Sequence, residues 1–202
     1  MTTFMLVRHG HCDPVGKFIA GRKEGVNLSE YGNKQVKQLV TYLKGTAINA
    51  IFSSPLERTV QTASPLAKEK GLTLNIVEEL LEVDYGLWTG RTFDELSSDP
   101  LWHQYNKYKG VVRIPGGEMM LEVASRMSVL IERLRKRYEG NVVLVSHGDP
   151  IKTAIAHYAG IPLDFLLRFD VQPASISVIQ IDDYDAKLLT VNNIIWQTDL
   201  TP

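Results

Sequence analysis

A single cysteine, Cys12, stands among 202 residues. No internal disulfide can form, which excludes a disulfide-stapled secreted scaffold and favours an intracellular home. Long apolar runs are missing as well. The N-terminal "TFMLV" is shorter than a signal-peptide core and far shorter than the roughly 20 residues of a membrane span. The chain is therefore expected to be cytoplasmic, with no membrane partner. Charge of one sign is also lacking: 22 Lys and Arg face 23 Asp and Glu, a net −1. Nothing in bulk draws this chain to nucleic acid, so any anion site must be local. Repeats and low-complexity tracts are absent. With 44% hydrophobic and 22% charged residues, 202 positions suit one domain spanning 1–202, with room for an inserted lobe but not for a second core.

What is present is an alternation of strand and helix signals. "FMLVR" and "AINAIFSS" read as buried strands, "LTLNIVEEL" as a third strand and its exit, and "NVVLVSHGD" as a strand ending in a polar turn. Val36, Leu39, Val40 and Leu43 recur at helical spacing in "SEYGNKQVKQLVTYLKG", which stops at Gly45. In "SPLERTVQTASPLAKEKG", Ser54 as N-cap, Pro55 at the first position and Glu57 at the third spell a capping box. Residues 119–138 form another amphipathic helix, Asp149-Pro150 reads as the cap and first residue of the next, and "SISVIQIDDYDAKLLTVNNI" as a closing hairpin. This pattern predicts an α/β three-layer sandwich, a mainly parallel sheet with helices on both faces. Residues 86–117 break the rhythm, with two of the three Trp and a mix of aromatic and basic residues, and are expected to form a small cap or substrate lobe over one edge.

Ligands of open α/β sheets bind beyond the carboxyl ends of the strands. There the first strand delivers Arg8 and His9, the second leads into Arg58, and the fourth delivers His147. Guanidinium forks, imidazoles and helix-end N–H groups together make a pocket for a dianion such as phosphate. A histidine with a pKa of ~6.5 is largely neutral at pH 7 and can attack phosphorus. His9-x-His11 after a first strand is also the entry signal of some zinc hydrolases. Arg8 beside the pair would repel a cation, however, and no further ligand cluster has convincing spacing, so no metal is expected. Cys12 lacks the Arg that cysteine phosphatases place six residues on, where this chain has Phe18.

"LVRHG", "SSPLERTVQTA", "LLEVDYGLWTGRTFDEL", "PGGE" and "LVSHGD" occur in one order over residues 4 to about 195. That series resembles the histidine phosphatase superfamily, the phosphoglycerate mutase-like proteins. The resemblance implies that His9 is the nucleophile that becomes phosphohistidine. It implies that Arg8, Arg58, His147 and Gly148 hold the transferring phosphoryl group, and that Glu82, four positions before Gly86, is the general acid and then the base toward water. It implies no cofactor and no metal, and it admits a homodimer. His11 and Cys12 depart from the usual Glu and Thr or Ser, Val15 from a common Asn, and Thr89 from the Glu of Trp-Glu-Gly. The short "WTGRTFDEL" segment looks like the phosphatase branch, near the α-ribazole and broad-specificity groups, acting on a small phosphorylated metabolite. The alternatives are a phosphoglycerate mutase-type phosphomutase, whose insertion after the acid is longer, and a non-catalytic phosphate-binding module. Trp88, Trp102, Tyr105 and Tyr108 are expected in the lobe core, His103 and His157 in structural positions, and Lys107, Lys109 and Arg113 in solvent. Glu118 either borders the site or begins the following helix.

Overall fold

The computed structural model describes residues 1–195. Its strands are β1 (Thr2–Arg8), β2 (Ala50–Ser53), β3 (Leu74–Ile76), β4 (Gly140–Ser146), β5 (Ile176–Ile181) and β6 (Ala186–Asn193). The helices are α1 (Glu30–Leu43), α2 (Glu57–Lys70), α3 (Phe93–Ser97), α4 (Pro100–Lys107), α5 (Met120–Arg135) and α6 (Gly148–Ala159), joined in places by short 3-10 turns. The strands form one sheet in the order β3-β2-β4-β1-β5-β6. The four strands β1 to β4 pair in parallel; β5 and β6 close the sheet as the antiparallel hairpin read from the sequence.

Alternation along the central strands sorts side chains into two apolar layers. On one face Phe4 and Leu6 of β1 and Val142 and Leu144 of β4 pack against Met127, Leu130 and Ile131 of α5 and Ile151 and Ile155 of α6. On the other, Val7, Val143 and Val145 meet Leu39 and Leu43 of α1 and Ala63 and Leu66 of α2. Both helix layers are thus held by burial that is worth about 1.5–3 kcal/mol for each fully covered large aliphatic side chain. No described helix is long and apolar enough to cross a membrane.

The lobe has its own apolar cluster, built on Trp88, Leu96, Tyr105 and Ile114 and closed by Met120 and Val123 of α5 and Ala156 of α6. That cluster draws on α5 and α6 and takes no residue from the edge strands β3 and β6. Trp88 meets Trp102 and Tyr105 edge-on at centroid distances of 5.2 and 5.3 Å, a geometry that aromatic quadrupoles favour. Tyr108 is exposed. Lys109 is not solvated as expected: it is 2% exposed, with its ammonium 4.0 Å from the centre of the Tyr105 ring. An aromatic face can hold a desolvated cation, which charge patterning alone does not reveal.

Two helix starts differ from expectation. α2 begins at Glu57 after Leu56, with no side-chain cap. Ser54 is drawn off to the ring of His147, and Glu57 accepts from the Gly25 N–H. In α6 the N-cap is His147, which puts Asp149 and Pro150 inside the first turn. Proline is tolerated there because the first N–H groups have no helical partner.

Candidate active site

β1 and β4 run in parallel with Arg8 paired to Ser146. The next residue of each strand is a histidine, so His9 and His147 emerge side by side, ring centroids 5.2 Å apart. Both are buried. The His9 N–H donates to the Ser146 carbonyl, and the Gly10 N–H to Thr62 of α2. α1 lies so close that a Cβ on Gly32 would sit 2.1 Å from the His11 carbonyl oxygen. Glycine is needed there for backbone to meet backbone.

His9 Nδ1 stands 2.7 Å from the Gly10 carbonyl oxygen. A carbonyl only accepts, so Nδ1 carries the proton and a neutral ring keeps the Nε2 lone pair free. Burial first, then the charges of Arg8 and Arg58, hold the His9 pKa well below its ordinary value and keep the ring neutral. His147 Nε2 lies 2.9 Å from Ser54 Oγ, and its pKa is likewise held down, by burial and then by Arg58.

Arg58 is buried and Arg8 half-buried, and both are only partly satisfied. Arg8 donates Nη1 to the Val171 carbonyl at 2.6 Å, and Arg58 donates Nη2 to the Gly21 carbonyl at 2.7 Å. Arg8 Nε, Arg58 Nη1 and His147 Nδ1 are buried without a partner in the protein. Native interiors rarely tolerate such orphans without a ligand or water to meet them. Gly148, the first residue of α6, lies over the Arg8 guanidinium, where an added Cβ would touch it at 3.5 Å.

Arg8, His9, Arg58, Glu82, Gly148 and Asp149 line one cavity of about 260 Å³. Phe18, Ile19 and Phe93 supply apolar wall, and Lys152 a cation. Glu82 is half-buried and accepts the Val83 N–H at 2.9 Å. Burial, then the charge of Asp149, pushes its pKa up to about 7. Asp149 in turn accepts from the Tyr85 hydroxyl.

The structure thus brings Arg8, His9, Arg58, Glu82 and Gly148 to one cavity, with His147 packed against His9. His11 points elsewhere: its ring bonds Ser29 at 2.8 Å and its N–H bonds Gln35. Among the described residues no three His, Cys, Asp or Glu side chains gather at ligand spacing. Cys12 and Val15 form part of the wall; burial pushes the Cys12 thiol up to about 11. Glu118 is in the region but lines no part of the cavity; it joins Arg22 and Arg126 behind Glu82. Sequence reasoning missed Tyr85 and the Arg22–Arg126 pair, and it read Ser54 as a helix cap and not as the partner of His147. Asp149 was seen only as a cap, and no local pattern marks the other roles.

A family model described as the histidine phosphatase superfamily (branch 1) matches residues 4–194. Phosphoserine phosphatase 1 of Hydrogenobacter thermophilus is 31% identical over 200 residues, 95% of this chain and 92% of its own. Among solved structures, YhfR of Bacillus stearothermophilus superposes with a TM-score of 0.90 at 25% identity, covering 96% of this chain and 98% of that one. The α-ribazole phosphatase of Shigella flexneri gives 0.84 at 26%, covering 97% and 98%.

Proposed function

Since the chain belongs to the histidine phosphatase superfamily, we propose that it is a phosphomonoesterase that works through a phosphohistidine on a small phosphorylated metabolite, without a metal. The observation that carries this reading is that His9, with its Nε2 free, shares one cavity with Arg8 and Arg58 and packs against His147, and that each of these three partners keeps a buried nitrogen without an acceptor. Three donors lacking an acceptor are complementary to the equatorial oxygens of a phosphoryl group, where phosphoryl transfer gathers its charge.

In the first step His9 Nε2 attacks phosphorus and the P–O ester bond breaks. Glu82, about half protonated near pH 7, gives its proton to the departing oxygen. In the second step water attacks the phosphohistidine, Glu82 takes the water proton, the P–N bond breaks and inorganic phosphate leaves. Ser54 Oγ already accepts the Leu56 N–H. If its one proton goes to His147 Nε2, the neutral His147 ring carries its own proton on Nδ1, the unpartnered atom. The lobe, through Phe93, contributes to the wall that the ester group meets. The phosphatase names of two of the relatives above favour hydrolysis over mutase transfer.

Hydrolysis of p-nitrophenyl phosphate by wild type and His9→Ala, each with and without EDTA, tests the proposal. Expected is turnover that survives EDTA and vanishes in the variant, with an acid-labile phosphoryl group trapped on the wild type. Loss to EDTA would revive a metal at His9. Tight phosphate binding without turnover would leave a binding module, and transfer between phosphoglycerates a mutase.

A further inference from the structure

Glu82 sits on a stretch with little regular structure of its own. A 3-10 turn ends at Leu80, and residues 81–85 belong to neither a helix nor the sheet. Its carboxylate has one protein partner, the neighbouring Val83 N–H. Something else must fix where that carboxylate points, because an acid displaced by about 1 Å loses on the order of 10²-fold in rate.

The backbone around it is held from three distant parts of the chain. The Glu82 carbonyl accepts from Arg22 Nε at 2.9 Å and from Arg126 Nη2 at 3.2 Å. Arg126 Nη1 reaches back to the Glu79 carbonyl at 2.6 Å. Glu118 accepts the Asp84 N–H at 2.9 Å, and its own N–H donates to the Asp84 carbonyl at 3.0 Å. The same carboxylate ties the two guanidiniums together, 2.9 Å from Arg22 and 3.2 Å from Arg126. The side chains of Arg126 and Glu118 are only 16% and 19% exposed, so these charge-assisted bonds are little screened. None of the three residues lines the cavity that holds His9; Arg22 and Arg126 border a separate depression with Glu78, Glu79 and Leu81.

We propose that Arg22, Glu118 and Arg126 form a clamp on the backbone of residues 79–84 that positions Glu82 for proton transfer to the leaving oxygen. The clamp rests on the reading of Glu82 as the general acid. Its members are positioning residues: they touch neither substrate nor reacting atoms and act through the carbonyl of the acid itself. Because they grip backbone, neutralising one of them should misplace the acid while leaving the phosphoryl-binding nitrogens of Arg8 and Arg58 where they are.

Leaving-group dependence separates that effect from general damage. A 2,4-dinitrophenolate departs without a proton, whereas phenolate is helped by one. We compare kcat/KM for 2,4-dinitrophenyl phosphate and phenyl phosphate in wild type, Glu82→Gln, Glu118→Gln, Arg126→Lys and Arg22→Met. Glu82→Gln should lose ~10²-fold or more on phenyl phosphate and far less on the dinitrophenyl ester. The clamp variants should show the same bias, about tenfold or more, and Arg126→Lys should not rescue it, since a point-like ammonium lacks the planar fork that reaches the Glu79 and Glu82 carbonyls and the Glu118 carboxylate together. Their alkaline limb should move to lower pH as the released Glu82 gains solvent. Equal losses on both esters, or none, would overturn the clamp while Glu82→Gln keeps its bias. Absence of the bias in Glu82→Gln itself would overturn the role of Glu82. Arg22, 32% exposed, is the variant that decides should the more buried pair fail to fold.

Discussion

Replacing Glu82 with glutamine is expected to stabilise the protein at pH 8 and to change its stability little at pH 5. The folded-state pKa of Glu82 is raised from 4.5 to about 7. Between those values the folded chain holds a proton that the unfolded chain releases, so wild-type stability falls as pH rises through that window. Below about pH 4.5 both states are protonated and nothing is lost; above about pH 7 the loss is complete. At 1.36 kcal/mol per pH unit the full cost is about 3 kcal/mol, an upper bound because the carboxylate retains some contact with solvent. Glutamine is neutral at every pH and its Oε1 can still accept the Val83 N–H. Urea unfolding followed by tryptophan fluorescence at both pH values measures the difference. The variant should gain up to about 3 kcal/mol at pH 8, or about 6–12 °C in Tm for a chain of this size. An equal change at both pH values, or destabilisation at pH 8, would refute the reasoning, because Glu82 would then ionise without cost. The same variant should lose activity on esters with poor leaving groups. Stability gained at the position where activity is lost is the expected exchange at a site that keeps an acid in a poor environment for its charge.

Two further outcomes are expected. Arg58→Ala removes a buried guanidinium with one unpartnered nitrogen and should lower kcat/KM for p-nitrophenyl phosphate by ~10²–10³; steady-state kinetics showing less than a tenfold loss would exclude it as a phosphoryl ligand. Cys12, buried with its thiol pushed up to about 11, should react with iodoacetamide at pH 8 at least ~10²-fold more slowly than a free cysteine; mass spectrometry showing alkylation at the free rate would contradict its burial.

What the sequence made legible follows from the range of the forces involved. The apolar runs of β1 and β4 and the helical spacing of α1 are local patterns that burial enforces, and all three elements formed as read. Arg8, His9 and His147 were readable because strand ends are where such a sheet places ligands, and Arg58 because it opens the helix after β2. Ser54 shows the limit. Its local context spells an N-cap, but a ring 93 residues away takes its hydroxyl, and the helix starts without a cap. Lys109 failed for the same reason: whether a lysine is solvated depends on what folds over it, here Tyr105.

The departures from the family pattern fit this division between local and long-range roles. At His11 the backbone N–H bonds Gln35, the carbonyl accepts from Ser29 and abuts Gly32, and the ring bonds Ser29 Oγ. The position after Arg8-His9-Gly10 therefore anchors the first turn of α1, a task that fixes the backbone more than the side chain. A residue so committed can differ from the family without disturbing Nε2 of His9, whose orientation comes from the Gly10 carbonyl and the Ser146 pairing. Val15 is different, because it lines the cavity itself. Under the proposed function, an apolar side chain here leaves the anion to Arg8, Arg58 and His147 and adds to the apolar lining that Phe18 and Ile19 also supply. On the same reading, specificity lies in the wall to which Val15 and Phe93 of the lobe contribute, whereas the nitrogens that would meet the phosphoryl group come from the ends of β1 and β4 and the first turn of α2.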